Sequence, residues 1–223
     1  MPLARLGNGW LPRIERVLHE VPASCGLSLT LEAAARDQLV SWLDLVVVWS
    51  ERVDLTAARD ADTLVDLLLA DAALLASTPL SGAVIDVGSG VGAPAIPLAI
   101  LRPNLSMTLV EPRERRAAFL RTSCGTLSRP DIRLLRARSM EVENESCDVA
   151  ISRATLPPPL WLPEGARLAK SSVWVLLGQD EPPTLPSWIA DLDLSYDWPL
   201  TGGRRRAVRY TRQPAHGVSA PGS

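Results

Sequence analysis

Val84-Ile85-Asp86-Val87-Gly88-Ser89-Gly90-Val91-Gly92-Ala93-Pro94-Ala95-Ile96-Pro97, followed after a short interval by Thr108-Leu109-Val110-Glu111, is the stretch that decides the fold. Ala83-Val84-Ile85 is a short, β-branched apolar run, the composition of a strand buried in a parallel sheet. Gly88, Gly90 and Gly92 then allow a sharp turn at positive φ and leave no Cβ between the main chain and a ligand lying against it. Pro94 and Pro97 fall in the first turn of the helix that follows, where a missing N–H costs little. Thr108-Leu109-Val110 reads as a second strand. Glu111 at its carboxyl end is placed to accept hydrogen bonds from both hydroxyls of a ribose, as an acidic residue does in nucleotide-binding sheets.

The spacing is Gly-x-Gly-x-Gly, not the Gly-x-Gly-x-x-Gly that seats a pyrophosphate on a helix N-terminus. No phosphate-binding Lys-Ser/Thr pair follows, which argues against a nucleoside triphosphatase. The pieces suit a nucleoside with a sulfonium centre, so the expected cofactor is S-adenosylmethionine, held by Asp86, Gly88, Ser89, Gly90, Gly92, Ala93 and Glu111. The plain alternative is a tight strand-to-helix connection with no ligand.

Upstream of this stretch, the spacing predicts helices over Leu11–His19, Leu31–Ser50 with Thr30 as its N-cap, and about Asp62–Ala76. In the second, Leu31, Ala34, Ala35, Leu39, Trp42, Leu43, Val46 and Trp49 recur at helical period and form a face for packing on the sheet. Trp42 and Trp49 read as core residues rather than stacking platforms. The Pro79-Leu80-Ser81-Gly82 turn marks a boundary.

Downstream, strands near Val84, Thr108, Ile132, Val149 and Val173 alternate with helical stretches, the pattern of a parallel sheet with right-handed crossovers. Leu192–Trp198 and Ala207–Thr211 pair around Thr201-Gly202-Gly203 as a terminal antiparallel hairpin. Leu156–Glu164 holds four prolines and reads as a loop, then a short helix, bordering the open end of the sheet. The expected architecture is a Rossmann-like α/β fold with a mostly parallel seven-stranded sheet, helices on both faces and the terminal hairpin. Residues 1–80 form a helical extension packed on the core, 81–212 the core, and 213–223 a disordered tail. The chain shows no internal repeat.

At 223 residues and 47% hydrophobic content the chain is long enough for one such domain with a substantial core. A formal charge of -2 does not mark a free nucleic-acid binder, but the charge is unevenly spread. Residues 1–80 carry eleven acids and six bases, the remainder fourteen and seventeen, which allows phosphate contact without demanding it. Lys170 is the only lysine, so the wealth of arginine fits a GC-rich coding bias and says little about partners. Cys25, Cys124 and Cys147 are odd in number and lack metal spacing, which points to reduced thiols, no metal site and a cytoplasmic location. No apolar segment reaches signal or membrane length, so neither secretion nor membrane insertion is expected.

With these residues in hand, the chain resembles the bacterial small-subunit ribosomal-RNA guanine-N7 methyltransferases, which are class I S-adenosylmethionine methyltransferases. Gly88-Ser89-Gly90-Val91-Gly92-Ala93-Pro94-Ala95-Ile96-Pro97-Leu98-Ala99-Ile100 with Arg102-Pro103 looks like the family signature, and the double proline discriminates. Trp49-Ser50-Glu51-Arg52-Val53-Asp54-Leu55-Thr56 with Arg59-Asp60 matches upstream. Thr108-Leu109-Val110-Glu111, Arg115-Arg116, Phe119-Leu120-Arg121 and Ile151-Ser152-Arg153-Ala154 match downstream. The likeness runs from about Leu31 to Tyr210.

The chain also departs from the family. Leu67-Leu68 stand ahead of Asp71 where the family carries Arg-His, and Leu177 replaces the lysine of Leu-Lys-Gly. Ala95 replaces a glycine, and Glu111 the ribose aspartate. The leucines remove cations from the face that the resemblance assigns to RNA.

The resemblance implies further roles. Ser139-Met140 hold the adenine through backbone with a neighbouring acid, here Glu141, one position out of register. Arg153 positions substrate and cofactor at the end of the fourth strand, its alternative being a surface arginine at a strand end. Arg115, Arg116 and Arg205 match basic positions and are candidate phosphate contacts, together with Arg113, Arg204 and Arg206; each cluster could equally be a solvated face. The implied partner is 16S ribosomal RNA or the small subunit, with a monomeric enzyme.

The implied chemistry asks for no general base, because guanine N7 carries a free lone pair and alignment with exclusion of water supplies the acceleration. His19 and His216 are poor catalytic candidates. Three readings remain open: guanine-N7 methylation of the small-subunit RNA, methylation of another RNA or of a small molecule, and a cofactor-binding assembly factor without turnover.

Overall fold

A computed structural model describes residues 3–213. The tail expected over 213–223 and His216 lie outside the described residues, Gln213 apart. Seven strands form one sheet in the order β3-β2-β1-β4-β5-β7-β6. These are β1 (Ala83–Val87), β2 (Ser106–Val110), β3 (Arg133–Leu135), β4 (Cys147–Ser152), β5 (Ala169–Leu177), β6 (Trp188–Asp197) and β7 (Arg204–Arg212). Strands β1 to β5 run parallel to one another, while β7 is antiparallel to β5 and β6. The expected sheet, hairpin and strand positions are present, and the hairpin is longer than its apolar cores indicated. β6 is an edge strand whose alternate residues face water, so its polar half escapes a hydrophobic reading.

The helices are α1 (Leu11–Ser24), α2 (Ala33–Ser50), α3 (Ala61–Ala76), α4 (Ala95–Leu101), α5 (Glu114–Thr126) and α6 (Pro158–Leu168). They cover the two faces of the sheet unequally. Side chains from α1 to α5 share a core with Val84, Leu109, Val149, Ile151 and Trp174, whereas α6 packs on the opposite face against Val173 and Val175. That continuous core joins α1, α2 and α3 to the sheet and its helices. In α3, twelve residues are buried because α1, α4 and the β6–β7 turn surround it. Asp66 of α3 accepts hydrogen bonds from the Leu200 and Thr201 amides and the Thr201 hydroxyl, fixing that turn.

Local details depart from expectation. α1 runs on past His19 because Val21 and Pro22 continue its buried face. α2 starts at Ala33, its N-cap is Glu32 and not Thr30, and no side chain caps it. Leu29 and Leu31 instead reach the core from the segment before the helix. Ala34 is exposed, and α2 meets α4 and α5 rather than the sheet itself. Trp42 is fully buried and Trp49 packs edge-on against Phe119 at 5.6 Å, so both belong to the core. α3 is capped by Asp60, whose carboxylate accepts from the Thr63 amide at 2.8 Å, an ordinary N-cap.

Arg102, which ends α4, donates to the carbonyls of Ala76 and Thr78 through Nη1 and of Leu80 through Nη2. It thereby closes the C-terminal end of α3 and the connection into β1. Arg102→Ala strands three carbonyls and should lower stability by about 2–4 kcal/mol, given the usual worth of bonds to a charged donor. A lower urea midpoint with an unchanged slope is the expected readout.

Candidate active site

The glycine bend lies beyond the carboxyl end of β1, where open α/β sheets receive ligands. Gly88, Gly90 and Gly92 have φ of 72°, 56° and 89°, so all three adopt the left-handed backbone expected of them. At Gly88 a Cβ would come within 2.1 Å of Thr155 Oγ1, and at Gly92 within 2.5 Å of Ile96 Cδ1. Those two glycines are required by packing as well as by φ.

Gly90 differs: the atoms nearest a Cβ there are Gly88 O at 3.7 Å and Arg116 Nη1 at 3.8 Å. Its missing side chain leaves free space at the bend.

Glu111 closes the bend from β2. Its Oε2 accepts from the Gly90 amide and its Oε1 from the Arg113 amide, both at 2.8 Å. The carboxylate is buried, and a carboxylate offers about four lone-pair sites, so two remain for ligand hydroxyls. The Gly88 and Ser89 amides are held by the Val110 carbonyl, which joins the two strand ends into one floor.

Asp86, at the end of β1, is 1% exposed and its Oδ2 has no partner among the described residues. Burial pushes its carboxyl up to about 7, against the opposing pull of the Ser89 side chain and the Arg153 charge. A buried acceptor without a donor is costly unless a ligand supplies one. The ammonium of an amino-acid cofactor is such a donor.

Arg153, just past β4, is mostly buried. It donates to the Leu67 carbonyl and pairs with Asp71 Oδ2 at 3.3 Å. The other Asp71 oxygen accepts from the Tyr196 hydroxyl of β6. Sequence reading missed Tyr196 and gave Asp71 no role; nothing local to residue 196 could reveal a partner 125 positions away.

The cleft so formed, about 410 Å³, is lined by Leu55, Leu67, Gly88, Ser89, Gly90, Val91, Ala93, Glu111, Pro112, Arg113, Arg116 and Arg153–Thr155. It gathers Gly88, Ser89, Gly90, Ala93, Glu111 and Arg153; Gly92 and Asp86, both assigned to the cofactor from the sequence, are not among its lining residues. Ser139 and Met140 are not among its lining residues. They lie on a 3-10 turn tied to α6, where Arg167 Nη2 donates to the Ser139 carbonyl at 2.8 Å, and Met140 is 75% exposed. The acid beside them, Glu141, accepts from the Arg138 amide and so caps its own turn.

The arginines separate by partner. Arg113 and Arg116 line the cleft, Arg113 ahead of α5 rather than on it, and Arg116 donates to the Asp54 carbonyl. Arg115 is exposed and makes no ion pair among the described residues. Arg205 sits over the Trp198 ring at 3.8 Å. Arg206 is paired with Asp193 at 2.6 Å. Leu68 and Leu177 are buried, so these two replacements lie inside the fold rather than on its outer surface.

A sheet in this order, with an acidic residue from β2 closing the glycine bend of β1, is that of the class I methyltransferases, enzymes that take their methyl group from S-adenosylmethionine. Comparison with known proteins narrows the class. The family model described as rRNA small subunit methyltransferase G matches residues 35–157. Ribosomal RNA small subunit methyltransferase G of Halorhodospira halophila is 31% identical over 189 residues, covering 81% of this chain and 89% of that protein. The protein of the same name from Alkalilimnicola ehrlichii is 30% identical, over 83% and 87% of the two chains. Among solved structures, a SAM dependent methyltransferase from Aquifex aeolicus matches at 14% identity and a TM-score of 0.44, over 59% of this chain and 82% of that one. The chain belongs to the rRNA small subunit methyltransferase G family.

Two outcomes are expected. Gly90→Asp projects a carboxylate into the open side of the bend, beside Glu111; calorimetry should show S-adenosylmethionine binding abolished while circular dichroism is unchanged. For Asp86 the folded pKa of about 7 lies above the unfolded value near 3.9. Its contribution to stability is therefore complete below about pH 4 and lost as pH rises through about 7. Urea midpoints of ligand-free wild type should fall relative to Asp86→Asn across that window and run parallel above it.

Proposed function

We propose that the protein transfers a methyl group from S-adenosylmethionine to N7 of a guanine in 16S ribosomal RNA of the small subunit, acting as a cytoplasmic monomer without a metal. The observation that carries this reading is Glu111 bonded to the Gly90 amide while Arg153 faces the same cleft from β4. Three strand ends thus meet one ligand-sized space. S-adenosylmethionine supplies, when bound, a sulfonium methyl open to in-line displacement. Glu111 holds the ribose through its two spare lone-pair sites, and the bend from Gly88 to Ala93 lies against the nucleoside. Asp86 takes the ammonium. Arg153, fixed by Asp71, orients guanine through O6 and leaves the neighbouring N7 lone pair free for the methyl carbon.

Guanine N7 attacks through a lone pair, so the protein has no proton to remove. Its work is alignment and the exclusion of water. In A-form RNA that edge lies in a deep, narrow groove, so the base must come from a loop or be extruded. Arg115, Arg116 and Arg205, with Arg113 and Arg204, stand at the surface for phosphates.

The apolar replacements support a second reading. Leu67 and Leu177 line a cavity that adjoins the cleft, where the resemblance expects cations, and this favours methylation of another RNA site or of a small molecule.

Mapping of N7-methylguanine in ribosomal RNA from cells lacking the protein, with labelled methyl transfer to their small subunits, decides between the two. One missing N7-methylguanine restored by the purified enzyme is the expected result; methyl incorporation at another atom or into another RNA supports the second. Arg153→Ala should reduce kcat at least about 10-fold, a loss of about 1.4 kcal/mol or more of transition-state positioning, with cofactor affinity changed far less. Replacing Arg115 by Ala should instead weaken RNA binding and lower the steepness of its salt dependence by about one counterion.

A further inference from the structure

The cleft does not end at Arg153. A second cavity of about 300 Å³ shares Leu67, Arg153 and Ala154 with it and extends over Leu156, Leu176, Leu177, Trp198, Arg205 and Asp180. That volume is in the range of small-ligand pockets. The sheet order sets the arrangement: the first cleft lies over β2, β1 and β4, the second over β4, β5 and β7. Their common wall is the end of β4. Asp180, three residues past β5, stands beyond that wall on the side away from Glu111.

The second cavity is mostly apolar. Arg153 uses only its Nη1 on Asp71 and the Leu67 carbonyl, so the rest of its guanidinium stays available at the shared wall. Both Asp71 oxygens are used, by Arg153 and Tyr196. Arg205 lies over the Trp198 ring. Asp180 is exposed at the mouth of this cavity and makes no hydrogen bond or ion pair within the described residues. The Trp198 indole N–H is shielded from solvent and also lacks an acceptor among them. Apolar walls and a carboxylate with no protein partner at the mouth suit a polar aromatic ring.

We infer that Asp180 is a specificity-determining residue, which accepts hydrogen bonds from N1–H and the N2 amino group of the guanine placed in this second cavity. The inference rests on the reading that the acceptor is guanine N7. With N7 turned toward the shared wall and the methyl donor, the donor pair on the other side of the base turns toward Asp180. Two adjacent N–H groups match the two oxygens of a carboxylate. Adenine presents an acceptor at N1 in the same place, so a carboxylate there repels it and leaves its own desolvation uncompensated. Discrimination would then come from Asp180, and the apolar walls, Leu177 included, would hold either base by stacking.

The test uses the full-length enzyme and small subunits rebuilt around 16S RNA that carries either guanine or inosine at the mapped nucleotide. Inosine lacks only the N2 amino group. Wild type should lose about 10-fold or more in kcat/KM on inosine, the usual effect of one bond to a charged partner. Asp180→Ala should fall at least as far on guanine and treat guanine and inosine alike within about twofold, with unchanged cofactor affinity by calorimetry. Asp180→Asn, which keeps shape and folding, should retain part of the preference because one amide oxygen still accepts. Equal sensitivity to inosine in wild type and Asp180→Ala overturns the assignment while leaving the substrate reading intact. A wild-type enzyme that forms no N7-methylguanine in the guanine substrate overturns the substrate reading and the assignment with it.

Discussion

The hydrogen bonds from the Gly90 and Arg113 amides to the buried Glu111 carboxylate are the constraint on which the site depends. A carboxylate removed from water needs donors, and here the backbone provides them. The same two bonds tie the bend after β1 to the exit of β2. The bend can take its shape only because three glycines accept positive φ. Two of them are further confined by Thr155 and Ile96. Sterics therefore set the floor of the cleft, and electrostatics close its side.

The N-terminal helices contribute to the site as well as to the core. α3 brings the Leu67 carbonyl and the Asp71 carboxylate to Arg153, and β6 brings Tyr196 to the same carboxylate. A buried ion pair of this kind gains little net stability after desolvation, but it holds a guanidinium in one orientation at the edge of the cleft. Under the proposed function such orientation is what Arg153 contributes, since no proton has to be moved. Burial of α3 between α1, α4 and the β6–β7 turn is thus linked directly to the geometry at Arg153.

Charge acts through its placement rather than its total. The chain carries a slight negative excess, yet many of its arginines are consumed inside the structure. Arg102 and Arg129 donate to carbonyls near α4, Arg167 braces the turn at Ser139, and Arg206 and Arg209 pair with Asp193 and Asp191 across the hairpin. Arg113, Arg115, Arg204 and Arg205 are left without a carboxylate partner among the described residues. Positive potential at such positions depends on where the unpaired arginines stand and not on the net charge. Residue type alone did not separate Arg205 from Arg206; the register of β6 against β7 did, by setting Asp193 near the latter.

The strand, the glycine bend and Glu111 were legible because their cause is local. Apolar runs, required φ values and a strand-end acid are properties of consecutive residues, and the parallel pairing of the first five strands follows from their alternation with helices. The adenine segment shows the limit: Ser139 and Met140 follow β3 as the pattern requires, but Arg167 and the capping carboxylate of Glu141 hold their turn against α6, outside the residues lining the cleft. Leu68 and Leu177 read as lost surface cations until packing placed both inside the fold. What the amino-acid order determined by itself was the class of site, since backbone sterics act over a few residues. The partners of Arg153, the second cavity and the fate of each arginine depend on side chains brought together across the sheet from distant positions, and only the tertiary structure decided them.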